Sequence, residues 1–132
     1  MDTKLKIGII AFIIVLVIGG GVYFFWQSQH QKYLKLSGFA TCVKSSGAIF
    51  YGAFWCSHCQ NQKSLFTTFF ESAEKDLPYV ECSTTDGKGQ LQVCKDQGIK
   101  GYPTWKFADG SVQEGEMSLQ DLSDKTKCLA PN

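Results

Sequence analysis

Apolar residues fall first into one unbroken block and then into short runs of two different periods. Ile7 to Trp26 (IGIIAFIIVLVIGGGVYFFW) carries no charge. At 1.5 Å per residue, a helix of about 20 residues crosses a hydrocarbon core of roughly 30 Å. Polar residues are missing from every face, so a helix half-buried in a globular domain is a poor fit. Tyr23 and Trp26 close the block, where amphipathic rings favour the headgroup level. Lys4 and Lys6 before it also suit a signal peptide. The block is longer than an ordinary signal core, however, and only Gly19-Gly20-Gly21 resembles a cleavage site, poorly. An uncleaved membrane anchor over residues 7–26 is therefore expected, with 27–35 (QSQHQKYLK) as a polar juxtamembrane linker.

Beyond the linker the pattern alternates between helix and strand. Leu36, Phe39, Ala40 and Val43 recur at helical spacing up to Ser45, and Ser46-Gly47 ends the run. Ala48 to Trp55 (AIFYGAFW) is nearly continuous in apolar residues, as a strand buried on both faces is. From Ser57 to Leu77 the period returns to three and four, through Leu65, Phe66, Phe69, Phe70, Ala73 and Leu77, and predicts a long amphipathic helix stopped by Pro78. Tyr79 to Cys82 is a second strand, Thr84 to Gly89 a loop, and Gln90 to Gln97 a short helix closed by Gly98. Thr104 to Phe107 and Ser111 to Gly115 flank Asp109-Gly110 as a hairpin. Ser118, with Asp121 three residues on, opens a final helix to about Lys127. Strands that alternate with helices and finish in an antiparallel hairpin predict an α/β fold with a mixed sheet covered on both faces.

Composition changes this picture little, except through cysteine. The chain has 132 residues, enough for one domain over 36–132. A net charge of +1 gives no basis for binding nucleic acid. Six cysteines in so short a chain suit an oxidising compartment. That settles an orientation which Lys4 and Lys6 against Lys32 and Lys35 leave nearly tied. Residues 1–6 are expected in the cytoplasm and the domain on the extracytoplasmic side, periplasmic or extracellular.

Phe54-Trp55-Cys56-Ser57-His58-Cys59 carries the chemistry. Cys56 follows a buried strand and opens a helix, where free N–H groups and the helix dipole favour an anion. The thiolate is the form that attacks disulfides. Cys59 lies one turn in, within reach and more shielded, as a resolving thiol should be. His58, as a cation, would favour the thiolate further. Trp55, Trp105 and the phenylalanines are expected in the core, and Trp55, which precedes Cys56, also at the rim of the pair. A zinc site would need a second ligand pair, which Cys82 and Cys94 do not form, and haem attachment would need histidine where Gln60 stands. No metal and no cofactor are expected. Gly101-Tyr102-Pro103-Thr104 opens a strand with a proline that cannot donate to a ladder. Alongside the cysteine motif, its bond is expected to be cis.

Together these features resemble the thioredoxin superfamily: a strand ending in WCxxC, a helix, and GYPT about forty residues later. The segments YGAFWCSHCQNQK, LPYVEC and GIKGYPTW are similar to the thioredoxin-like domain fused to bacterial and plant homologues of vitamin K epoxide reductase, over Leu36 to Lys127. The resemblance implies a three-layer α/β/α fold, Cys56 as nucleophile, Cys59 as resolving thiol, and a cis Pro103 that presents the Tyr102 backbone to a substrate strand. It also implies exchange with exported protein thiols and with a membrane quinone-linked thiol oxidoreductase, here expected as a separate polypeptide. Two positions depart from the superfamily. Phe50 stands where a buried acid is usual, so the proton of Cys59 needs water, His58 or another acceptor. The Ser-His dipeptide resembles oxidases and isomerases more than reducing thioredoxins.

Cys82 and Cys94 bracket a short glycine loop and are expected to form a structural disulfide, with free thiols or a second redox relay as the alternatives. Cys42 and Cys128 are open between pairing and staying reduced. The expected function is oxidising disulfide exchange at Cys56 and Cys59. A reductase or isomerase, a non-catalytic binding module, and a metal protein using Cys56, Cys59 and His58 are the alternatives.

Overall fold

The apolar block, the polar linker and the first amphipathic segment form a single helix, α1 (Thr3–Ser45), without a break. Nothing in residues 27–35 interrupts it, because the segment lacks glycine and proline. At 1.5 Å per residue the helix is about 64 Å long. The computed structural model describes residues 2–131. Met1 and Asn132, the outermost residues of the expected 1–6 terminus and 36–132 domain, lie outside the described residues. The most apolar part of α1 is not buried against the domain. Such a helix fits a membrane anchor or a signal sequence. Its other end is core: Leu36, Phe39, Ala40 and Val43 are buried, and Gly47, at φ +84°, lets the chain turn away.

The sheet has four strands in the order β2-β1-β3-β4: β1 (Ile49–Gly52), β2 (Tyr79–Glu81), β3 (Thr104–Lys106) and β4 (Val112–Glu114). β1 pairs parallel with β2 and antiparallel with β3, and β3 and β4 form the hairpin. The expected mixed sheet is thus present. Side chains alternate across it. Phe50 and Trp105, opposite each other on β1 and β3, stack 4.8 Å apart on one face, beneath α1, α2 (Ser57–Ser64) and α4 (Leu119–Thr126). Tyr51 points to the other face, which α3 (Gln92–Asp96) covers with Cys82, Cys94 and Ile99. α4 opens on the expected capping box: Ser118 Oγ accepts the Asp121 N–H at 3.0 Å, and Asp121 accepts the Ser118 N–H at 3.2 Å.

Besides the linker, a second element differs from expectation. The helix predicted from Ser57 to Leu77 stops at Ser64. Leu65 to Ala73 turns back on itself, with a bridge between Thr67 and Ser72, and a 3-10 turn follows at Glu74–Asp76. Thr67 Oγ1 donates to Ser64 O at 2.8 Å, and Thr68 Oγ1 accepts the Glu71 N–H at 3.1 Å. These hydroxyls offer the backbone local partners that compete with the helical ladder. The apolar periodicity was misleading because Phe66, Ala73 and Leu77 reach the core, whereas Phe69 and Phe70 do not.

Two disulfides tie the domain: Cys42–Cys128, joining α1 to the segment after α4, and Cys82–Cys94, joining the end of β2 to α3. The latter is the pairing expected from the short loop. Cys56 and Cys59 are free thiols.

Candidate functional site

Cys56 is the N-cap of α2. A turn after β1, closed by the Cys56 N–H donating to Ala53 O at 3.0 Å, separates it from the strand, which ends at Gly52 rather than at Trp55. The φ of −77° and ψ of 115° at Cys56 are extended, the usual state of a capping residue. In place of a hydroxyl, its Sγ accepts the Cys59 N–H at 3.2 Å. A helix donor that would otherwise lack a partner is therefore aimed at the sulfur, a contact that strengthens when the sulfur is an anion. The two sulfurs are 2.7 Å apart, with the Cys59 thiol donating to Cys56. Cys56 is 7% exposed and Cys59 is sealed at 0%. One sulfur can be met from outside and the other only through it.

Burial pushes the Cys59 thiol up to about 12, the hydrogen bond to Cys56 adds to this, and the Ala53 backbone and the Lys63 charge oppose it. Once Cys56 is tied up in a mixed disulfide, its own contributions vanish while burial stays. The attacking thiolate then grows as pH rises. Release of a bound thiol from Cys56 by Cys59 is expected to accelerate by up to about tenfold per pH unit from about pH 6 to pH 8. Rapid-quench kinetics on a preformed mixed disulfide measures this. A flat profile would reveal a base already acting on Cys59.

Gly52 makes room for Cys59. A Cβ there would sit 3.1 Å from Cys59 Sγ and 2.8 Å from the Tyr79 ring. Phe50, where an acid is usual, is fully buried, edge-on to Tyr79 at 5.1 Å. Lys63 Nζ lies 3.6 Å from the centre of the Tyr79 ring, and the Tyr79 hydroxyl donates to Glu81 at 2.8 Å. Burial and that bond hold the Tyr79 phenol well above its ordinary value. An aromatic pair, with Glu81 at its edge, thus occupies the ground beneath the thiols.

The other expected site residues gather around Cys56. The Tyr102–Pro103 bond is cis. Tyr102 O lies 3.7 Å from Cys56 Sγ and accepts from it. Pro103 is fully buried, and Trp55 is exposed, its ring edge-on to Tyr102 at 6.0 Å. Trp55 Nε1 donates to Ser83 Oγ at 2.8 Å, which holds the indole at the rim. Trp55, Cys56, His58, Lys100 and Tyr102 line a shallow depression there. His58 is at the surface, and its ring partner is Glu116, 2.6 Å from Nδ1, rather than Cys59. That bond, with another from Asn61, holds the exposed Glu116 carboxyl below its ordinary value. Cys82 and Cys94 stand apart, across the sheet and fully buried. Among the described residues, no three His, Cys, Asp or Glu side chains converge as a metal site.

Glu116, Ser83 and Gln62 were not anticipated. Gln62 is fully buried, accepting the Met117 N–H at 2.7 Å and donating to Met117 O at 2.9 Å. It thereby fixes α2 to the segment carrying Glu116. A glutamine on the apolar side of a helix was the available signal for Gln62. Glu116, 58 positions from His58, had none.

The thioredoxin family model matches residues 32–127. The thiol-disulfide oxidoreductase LTO1 of Arabidopsis thaliana is 44% identical over 87 residues, 64% of this chain and 22% of that protein. A protein disulfide-isomerase of Aspergillus oryzae is 35% identical over 78 residues, 54% of this chain and 14% of that protein. Sulfhydryl oxidase 1 of Gallus gallus is 30% identical over 78 residues, 58% of this chain and 10% of that protein. The chain spans about a fifth or less of the length of these relatives.

Proposed function

The chain belongs to the thioredoxin family, and from that premise we propose that it is a membrane-anchored thiol–disulfide oxidoreductase that oxidises exported protein thiols through Cys56 and Cys59. The observation that carries this reading is the asymmetry of the pair: a reachable sulfur accepting a helix N–H, backed by a sealed thiol close enough to bridge to it. α1 supplies the anchor through residues 7–26, and the domain works on the extracytoplasmic side. The two further disulfides support an oxidising compartment.

In the oxidised pair, a substrate thiolate attacks Cys56 Sγ. The Cys56–Cys59 bond breaks, and Cys59 leaves as a thiolate that takes up a proton. A second substrate thiolate attacks the substrate sulfur of the mixed disulfide and expels the Cys56 thiolate. Two electrons have then passed from substrate dithiol to the protein pair. The Tyr102 backbone, held by Pro103 beside Cys56, presents polar groups to an extended substrate segment across the depression that Trp55 rims. A partner disulfide must accept the two electrons. By the resemblance of the YGAFWCSHCQNQK, LPYVEC and GIKGYPTW segments to the thioredoxin-like domain fused to vitamin K epoxide reductase homologues, the proposed partner is a separate membrane quinone-linked thiol oxidoreductase of that type. The same residues run backwards as a reductase or an isomerase, and the relatives include a protein disulfide-isomerase, so the potential of the pair decides direction.

Equilibration of the full chain with glutathione measures that potential. A value less negative than about −200 mV supports oxidation, and one near about −270 mV makes the protein a reductant. Cys59→Ser in membranes should accumulate mixed disulfides through Cys56. A non-catalytic module would accumulate none.

A further inference from the structure

Leu65 to Ala73, the segment that leaves the expected helix, carries two phenylalanines out of the domain. Phe69 is 79% exposed and Phe70 is 51% exposed, their rings edge-to-face at 4.9 Å. A soluble loop gains nothing by holding two such rings in water, and adjoining exposed aromatics mark a contact surface. Their neighbour identifies the contact. Phe25, in the last turn of the apolar block of α1, lies edge-on to both, at 6.2 Å from Phe69 and 5.9 Å from Phe70. Phe24 and Trp26 beside it are exposed as well. The loop is held at this height by polar contacts one turn further out along α1. The Phe69 N–H donates to Gln29 Oε1 at 3.4 Å, and His30 Nδ1 meets Glu71 at 2.9 Å.

We propose that the Phe69–Phe70 tip is a second membrane contact, seated in the lipid interface beside the point where α1 leaves the bilayer. The inference rests on the anchor reading above and extends the apolar surface of the span sideways. Phe25 and His30 are five positions apart, about 7.5 Å along the helix, close to the thickness of one interfacial layer. The rings therefore lie at the level where amphipathic and aromatic groups settle, while the His30–Glu71 pair stays on the aqueous side. A single span lets its domain tilt in any direction. A foot beside the axis leaves one. The segment carrying this foot follows directly on α2 (Ser57–Ser64), a helix about 12 Å long with the thiols at its other end. The contact thus presents Cys56 to membrane-bound partners at a fixed height and heading.

The test uses the full chain in phosphatidylcholine vesicles. The photocrosslinker p-benzoylphenylalanine replaces, one at a time, Phe69, Val15 in the span, and Val93 on α3 across the sheet. All three side chains are exposed, so the added ring leaves the fold undisturbed. Lipid adducts at 69 approaching the yield at 15, and several-fold above that at 93, are the expected result. Adducts at 15 with none at 69 would overturn the foot while leaving the anchor standing. No adducts at 15 would remove the anchor, and the foot with it. Equal yields at 69 and 93 would mean indiscriminate lipid contact and would also overturn it.

Discussion

Cys56→Ser will abolish disulfide exchange, lowering the rate by roughly a thousandfold or more, while the domain stays folded. The separation of the two effects follows from the geometry. Serine is a favoured N-cap, and its hydroxyl can accept the same Cys59 N–H that Cys56 Sγ accepts at 3.2 Å. The local structure therefore keeps its hydrogen bond while the sulfur proposed as nucleophile is gone. Cys59→Ser acts differently, because Cys56 remains reachable and still forms the mixed disulfide. Insulin or a model peptide dithiol reports the rate, and circular dichroism reports the fold. A Cys56→Ser protein that retained turnover would transfer the nucleophile to Cys59, which its complete burial argues against.

The largest effect on stability is expected from the link between α1 and the C-terminal segment. Cys42 and Cys128 are 86 positions apart, and the chain-entropy relation gives about 4.5 kcal/mol for a loop of that size. The same relation gives about 3 kcal/mol for Cys82–Cys94, 12 positions apart. Replacing both Cys42 and Cys128 by alanine should lower unfolding stability by roughly 3–5 kcal/mol, a large share of what a domain usually has. Denaturant titration of the full chain in detergent micelles, followed by near-ultraviolet circular dichroism, measures the shift. Cys42 is at the surface, whereas Cys82 and Cys94 are sealed, so mild reductant should open the long link first. Loss of the short link first would contradict that order. An unchanged midpoint in the alanine double variant would mean that the link constrains no more than α1 and α4 already do through Leu36, Phe39 and Leu122.

Elements held together by local contacts are legible in the sequence. The apolar block, the strand leading to Cys56, the capping box at Ser118 and the terminal hairpin all follow from local residues. Each is stabilised by neighbours within a few positions, or by an apolar period long enough to be unambiguous. The Ser57–Leu77 helix failed because apolar period alone does not say which surface the residues will meet. Phe69 and Phe70 fit the helical spacing yet point away from the core, beside Phe25. Thr67 and Thr68 carried a warning, since adjacent hydroxyls compete for the backbone. The polar linker at 27–35 continues as helix because nothing in its composition stops one.

The residue order alone determined the chemistry available: two cysteines a helical turn apart behind a buried strand, a proline opening a later strand, and a block apolar enough to span a bilayer. Helical period and chain geometry dictate such features over short distances. Only the tertiary structure decided that Cys42 meets Cys128, that Glu116 takes His58, that Tyr79 and Phe50 fill the ground under Cys59, and that a loop after α2 comes to lie beside the end of the apolar block. Those pairings depend on how distant elements pack, and packing is set by the sum of many weak contacts that no single stretch of residues displays.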